Sequence, residues 1–425
     1  MQDFKRIDLL RQTKTSIRGS DKHLIVGIDI AKNKHYAFFG DANGKSFLRQ
    51  FVFDNTLEGV GNLLEKTTAI QKKNKLTEIV FGVESTANYH KPVAEALINL
   101  GYTVVLVSSV AIKRNRELLD GRWDKNDRKD AANIADLVSQ GKCLFYDVPC
   151  VSIRSIRTLL SLKRKLVKQK HALKMRIRGQ IIAPYFPEMD AFFSLIEDPC
   201  LAAINVCLDP RKLSQVDYTL FYEWVTSKPK RLAQQKQIRD LWEVSKRSIG
   251  CEVTQAVQFE ASLLVESLKR AKTLLEAVEQ KLEEERVKFS EYPCLLSIPG
   301  FGPVVSTMVL GAIGDPLRFE NGRQVLKLAG LDLSASRSGE SSAYAKAKIS
   351  KKGKTELRYA LYQAAFTAST RHKLMKSWFE SKIESRKNEK GIAMKTRIKL
   401  SAKLLVIAWT LMKKKEVFNP THLQL

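Results

Sequence analysis

Four carboxylates in the first third of this 425-residue chain are placed as a phosphodiester-cutting metal site would need them. Asp29 interrupts the apolar run Leu24–Ile30 near its end, and Glu84 stands at the exit of a second apolar run, Glu78–Val83. A buried strand avoids a carboxylate unless something offsets its charge. Asp127 and Asp130 lie three residues apart, which puts both on one face of a helix. Carboxylates gathered in this way repel one another unless cations hold them together. The set could bind two Mg2+ ions, or Mn2+ in their place, bridging the reacting oxygens of a phosphodiester. Taken singly, each reads better as structural than catalytic, Asp127 as a helix N-cap and Glu84 as a solvated strand end; together, in this strand order, they favour a shared metal site.

A second chemistry lies near the other end. The turn Ile298-Pro299-Gly300-Phe301-Gly302-Pro303 opens an apolar helix, an arrangement that can offer backbone N–H groups to a phosphate. A short helix through Leu328 follows, and then a loop carrying Ser334, Ser336, Ser338, Ser341 and Ser342. Lys346, Lys348, Lys351, Lys352 and Arg358 come after it. A hydroxyl among such cations suits attack on a phosphodiester, because the cations stabilise the charge that develops. Nothing in the spacing selects one serine, and a solvated Ser/Gly/Lys loop would have the same composition.

The elements that must position the carboxylates follow from patterning. Leu24–Ile30, His35–Phe39 and a run ending at Phe53 read as strands, with Asn43-Gly44 as a hairpin turn. A helix from Thr56 to about Gln71, a strand at Glu78–Val83, a helix at His90–Leu100 and a strand at Thr103–Val107 follow. After the basic segment Lys113–Lys125, a helix opens near Asp127 and runs to about Gln140. Three hairpin-joined strands and then alternating helix and strand is the order of a ribonuclease-H-like fold. The expected architecture is α/β plus α, divided as 1–150, 151–290 and 291–425.

The chain carries 72 Lys+Arg against 45 Asp+Glu, a net charge of +27. An excess of that size calls for a polyanionic partner, most simply nucleic acid. Much of it is concentrated between Asp147 and Glu188, where no acidic residue occurs. Arg154, Arg157, Lys163, Arg164, Lys165, Lys168, Lys170, Lys174, Arg176 and Arg178 crowd one helix there, which reads as a surface facing nucleic acid. Val257, Ala261, Leu264, Leu268, Ala271, Leu275, Val278 and Leu282 alternate spacings of four and three, a coiled-coil seam for either the basic helix or a second protomer. Residues 185–249, with Trp224 and Trp242, suggest no chemistry. Residues 395–415 read as a basic amphipathic helix packing Leu404, Val406, Ile407 and Trp409. The six cysteines lack paired CxxC spacing and suit a reducing cytoplasm, and no run is apolar and long enough to span a bilayer.

The two motif sets, in this order, resemble the IS one-ten class of insertion-sequence transposases. Gly27–Lys32 (GIDIAK), Val83-Glu84-Ser85 followed by Tyr89, and Asp127–Ala131 (DRKDA) match its RuvC-like domain. Ile298–Gly302, Ala329–Leu331, Ser338-Gly339, Ile349–Gly353 and Leu357-Arg358 match its C-terminal domain. Thr86-Ala87 departs from the Thr-Gly of many members without touching an acidic position. The resemblance implies an Asp-Glu-Asp-Asp metal set at Asp29, Glu84, Asp127 and Asp130, and Ser338 as a nucleophile that links covalently to DNA. It also implies donor and target DNA as substrates, a noncoding bridge RNA as guide, a homodimer or homotetramer, and a nucleoid location in a bacterial cytoplasm. A metal-dependent junction nuclease without a covalent intermediate is the rival reading, and a non-enzymatic nucleic-acid-binding protein is another.

Overall fold

A computed structural model describes residues 6–85, 88–119, 127–146, 148–334, 348–384 and 386–422. The chain forms two compact units, one of residues 1–150 with 314–352, the other of residues 151–313 with 353–425.

The first unit is built on a sheet of β1 (His23–Asp29), β2 (Lys34–Gly40), β3 (Ser46–Asp54), β4 (Glu78–Glu84), β5 (Thr103–Val107) and β6 (Leu144–Phe145). Among the described residues the strand order is β3-β2-β1-β4-β5-β6. β1, β4 and β5 run parallel, and β2, β3 and β6 are antiparallel to their neighbours. This mixed sheet is consistent with a ribonuclease-H-like domain. At the β2–β3 turn, Asp41 Oδ1 accepts the N–H groups of Asn43 and Lys45 at 2.9 Å, and Gly44 takes φ +90°. These bonds fix the hairpin that Asn43-Gly44 predicts.

Helices cover both faces. Leu24, Val26, Ile28, Phe81 and Val83 pack on one face with Val60, Leu63 and Ile70 of α2 (Leu57–Lys73) and Val93 and Leu97 of α3 (His90–Asn99). On the other face, Ile25, Val80, Val105 and Val107 meet Ile134, Ala135 and Val138 of the helix Asp127–Ser139. Ile112, from the helix Ser109–Leu119, and Ile17, from Arg6–Ile17, join them. In chain order these last three are α1 (Arg6–Ile17), α4 (Ser109–Leu119) and α5 (Asp127–Ser139). Patterning does not show α1 and α4: both are rich in cations and read as exposed basic segments, yet each lends an apolar side chain to the core.

In the second unit, α6 (Val151–Arg176) runs into a widened π turn at Ile177–Ile182 and packs along α7 (Gln255–Arg286). Ala261, Leu264, Leu268, Ala271, Val278 and Leu282 of α7 are buried, so the seam is covered within the chain. Its C-terminal part meets Leu159, Leu160 and Leu166 of α6. The N-terminal part packs against the helical insert, whose core includes Phe186, Met189, Phe193, Phe221 and Leu241. Trp242 Nε1 donates to the Val216 carbonyl at 2.9 Å, a structural use for that tryptophan. Further on come α8 (Pro303–Ile313), α9 (Gly322–Ala329, in the first unit), α10 (Thr355–Arg371), α11 (Lys373–Glu384) and α12 (Ile392–Lys414). On α12 the buried stripe is Leu400, Leu404, Leu405, Ala408 and Met412, while Val406 and Ile407 are only half-buried. No helix among the described residues is long and apolar enough to cross a membrane.

Candidate active site

Parallel register brings the first two carboxylates together. Ile28 of β1 pairs with Val83 of β4, so the next residues, Asp29 and Glu84, leave neighbouring strands side by side. They share the sheet face of Gly27 and Gly82, two residues earlier, because strand side chains alternate. That is the face α5 covers. A Cβ on Gly27 would lie 2.2 Å from the Ala131 carbonyl oxygen and 2.7 Å from the Ala135 nitrogen. One on Gly82 would lie 2.6 Å from Val138 Cγ2. The two glycines let α5 approach the sheet closely, and Ala131, which abuts Gly27, directly follows Asp130.

Asp130 is buried and engaged by Arg116 of α4, whose Nε (3.0 Å) and Nη2 (2.6 Å) both donate to Oδ1. Glu84 is half-buried and has no ion-pair partner among the described residues. Asp127 opens α5, but its side chain lies outside the described residues. Among the described residues no three His, Cys, Asp or Glu side chains stand close enough together to hold a metal ion. The donor chemistry still suits a divalent cation. Two half-buried carboxylates exit side by side, Glu84 without an ion-pair partner among the described residues, and a third is buried on the helix that covers their sheet face. Arg116 could not be picked out from the sequence, because within Lys113–Lys125 it looks like any other solvated cation.

Ser338 lies outside the described residues, as do Ser336, Ser341, Ser342 and Lys346. The residues on either side of that stretch pair with each other. β7 (Leu333–Ser334) pairs antiparallel with β8 (Lys348–Ile349). The Ser350 N–H donates to the Asp332 carbonyl at 2.8 Å, and the Lys351 N–H to the Gly330 carbonyl at 3.0 Å. The Ser350 hydroxyl also donates to the Asp332 carboxylate. Lys351 adopts φ +55°, and the Lys351 and Lys352 side chains are exposed at the loop base. Arg358 lies on α10 in the second unit, 3.5 Å from the Thr355 hydroxyl. Upstream, Gly300 takes φ +84°, and a Cβ there would meet the Ala364 carbonyl oxygen at 2.2 Å. That glycine is committed to close packing on α10.

The basic helix is more neutralised than its sequence suggests. Lys163 pairs with Glu279, Arg164 with Glu356 and Lys174 with Glu197. Arg178 forms a two-oxygen fork with Asp190, at 2.6 and 2.7 Å. Arg176 approaches Glu260 at 3.6 Å, and Arg157 donates to the Gly311 carbonyl at 2.7 Å. The expectation of ten cations lacking counter-charges is therefore corrected: five of them, Lys163, Arg164, Lys174, Arg176 and Arg178, pair with carboxylates outside the helix. Arg154 is half-buried and also engaged. Lys165 and Lys168 are exposed and without an ion pair among the described residues.

A mixed sheet that gathers carboxylates at its strand ends, in a chain this cationic, belongs to the enzymes that cut and join nucleic-acid backbones. Comparison with known proteins narrows the class. A DEDD-type model described as a transposase matches residues 26–187, and one described as the IS116/IS110/IS902 transposase family matches residues 292–380. The chain belongs to the IS110-class insertion-sequence transposases and is a DNA transposase. It is 22% identical over 412 residues to an uncharacterised 44.8 kDa protein of insertion element IS116 from Streptomyces clavuligerus, covering 93% of this chain and 96% of that one. It is 25% identical over 302 residues to the transposase for insertion sequence element IS1111A of Coxiella burnetii, covering 70% and 69% respectively.

Proposed function

We propose that this transposase cuts and rejoins DNA through a covalent link between Ser338 and a DNA phosphate, with Asp29, Glu84, Asp127 and Asp130 holding a divalent cation, Mg2+ or Mn2+. The observation that carries the metal half is the side-by-side exit of Asp29 and Glu84 from parallel strands, on the face that α5 covers. The motif around Ser338 supports the serine half, and the hairpin that closes its loop belongs to the same compact unit as the carboxylates.

In this reading the Ser338 Oγ attacks phosphorus. A new P–O bond to serine forms, the bridging P–O bond to one sugar breaks, and the departing sugar oxygen leaves as a hydroxyl with the proton serine gives up. A hydroxyl on another strand reverses the step, so rejoining needs no ATP because the phosphodiester energy is conserved. Gly339 lets the backbone approach the strand closely, and Lys351 and Lys352 supply positive charge near the loop base. A divalent cation, when bound, would neutralise charge developing on the phosphate. Residues 1–150 act as the RuvC-like metal domain, 151–290 as a basic, coiled-coil-like region for nucleic acid, and 291–425 as the serine-bearing domain. The family resemblance adds a noncoding bridge RNA that pairs donor and target DNA, and a homodimer or homotetramer; the net charge of +27 suits both nucleic acids.

The experiment is to quench a cleavage reaction in denaturant and map any DNA-bound peptide. The expected adduct is on Ser338, lost in Ser338→Ala together with recombination and retained in Ser334→Ala and Ser336→Ala. Metal-dependent strand cleavage that Asp29→Asn abolishes, with no adduct in the native protein, would replace this reading with a junction nuclease.

A further inference from the structure

Arg116 has no role in the steps above, yet its contact with Asp130 has an unusual form. Both guanidinium N–H groups go to one oxygen, Oδ1, at 3.0 and 2.6 Å. Elsewhere in the same chain Arg178 grips Asp190 in the ordinary way, one N–H to each carboxylate oxygen. Asp190 is half-buried, whereas Asp130 is 2% exposed. A buried carboxylate costs most when an oxygen is left unsatisfied, so a fork spanning both oxygens would be expected at Asp130 rather than at Asp190. Instead, Asp130 Oδ2 has no hydrogen-bond partner among the described residues.

The placement of Arg116 is not loose. Asn115, the residue before it, is buried and donates from Nδ2 to Asn133 Oδ1 and Asp136 Oδ2 on α5, each at 2.7 Å. Asn133 donates back to the Ile112 carbonyl at 2.8 Å. These bonds tie α4 to α5 and fix where the Arg116 side chain starts. One residue beyond Asp130, Ala131 abuts Gly27, two positions before Asp29.

We infer that Arg116 is a positioning residue of the carboxylate site, holding Asp130 by one oxygen so that the other is left open to the divalent cation of the proposed site. The inference rests on the metal reading proposed above. A carboxylate that binds metal through one oxygen is oriented by a hydrogen-bond donor on the other, and loss of such a donor typically weakens metal binding roughly ten- to a hundred-fold. Lysine keeps the charge but offers a point donor without the planar fork, so it balances Asp130 without fixing its orientation.

The test measures Mn2+ binding to the full chain by titration calorimetry, without DNA, for the native protein and for Asp29→Asn, Arg116→Lys and Arg116→Gln. Native binding that Asp29→Asn abolishes and Arg116→Lys weakens roughly ten-fold or more, with a melting temperature in EDTA close to native, is the expected result. Arg116→Gln tests the lost charge, and Arg116→Lys keeps the measurement decisive if the glutamine variant does not fold. Native-like Mn2+ affinity in Arg116→Lys overturns the positioning role and leaves Arg116 as a tie between helices. Tighter binding overturns it in the other direction, making Arg116 a competitor of the cation. Native binding absent or indifferent to Asp29→Asn removes the metal reading itself, and this inference with it.

Discussion

At Gly27 a missing side chain sets the distance between a strand and a helix. Any Cβ there meets the Ala131 carbonyl oxygen at 2.2 Å, and backbone cannot rotate aside as a flexible side chain would. Gly27→Val should therefore cost at least the ~1–3 kcal/mol typical of overpacking, read as a lower urea midpoint, and an unchanged midpoint would show that α5 is free to shift. His35 is fully buried on β2, its Nδ1 accepting the Ala31 N–H at 3.3 Å and its ring set edge-on to Phe53 at 5.0 Å. Burial pushes its pKa below the ordinary 6.5, with Asn55 acting weakly the other way. As pH falls through the ordinary value, the unfolded chain takes up the proton first, so stability is complete above about 6.5 and is lost below it. In His35→Gln that share of the acid-side loss should vanish. Equal losses between pH 7 and pH 5 in both proteins would rule His35 out. Asp29 and Glu84 were legible in the sequence because a carboxylate ending an apolar run is conspicuous. Gly27 was not, since its function is defined by α5, about a hundred residues away, and Arg116 was hidden among like charges.

Most strands and helices of the sheet domain were legible for a simple reason: they are runs of apolar residues bounded by turn signals, and β1, β4, β5 and α5 lie within two residues of where those signals put them. α4 was not legible, because its apolar contribution to the core is small against its cations. α6 was legible as a helix but misleading as a surface. Composition counts its cations, whereas Glu279 and Glu356, more than a hundred residues downstream, decide which remain available. Phosphate contact along α6 should therefore fall chiefly to Lys165 and Lys168. Lys165→Glu with Lys168→Glu should flatten the dependence of log Kobs on log salt by about 1.8, at about 0.9 per phosphate neutralised on duplex DNA. Lys163→Gln should leave that slope nearly intact and instead lower the melting temperature slightly, since it removes one of the two cations paired with Glu279 of α7 and leaves Arg286 as the other. A slope that falls with Lys163→Gln and not with the double variant would mean the internal ion pairs open when nucleic acid binds.

At the scale of the molecule, the chain passes between its compact units at residues 150, 313 and 352, so the stretch that carries the serine loop belongs to the unit of the carboxylates. The residues flanking that stretch, ending at Ile313 and resuming at Gly353, belong to the other. Sequence order alone assigns 314–352 to the C-terminal part, because nothing local marks it as a return to the sheet domain. The ties that bring it back are long-range: Arg11 of α1 pairs with Glu320 at 2.9 Å, and α1 packs on the turn Pro316–Arg318. A partly exposed pair of this kind is worth little, in the range of ~0–1 kcal/mol, so the grouping is tested better by cooperativity than by cutting one bond. Amides of one cooperative unit lose protection together when that unit is destabilised. Gly27→Val should then speed hydrogen exchange in β1 and β4 and equally in α9, together with the Ser350 and Lys351 amides that close the loop base. Amides of α10, which resumes only three residues after Lys352, should keep native protection. If α9 instead stays protected along with α10, the serine-bearing stretch unfolds with the helical unit, and the carboxylates and the loop base are not parts of one folding unit.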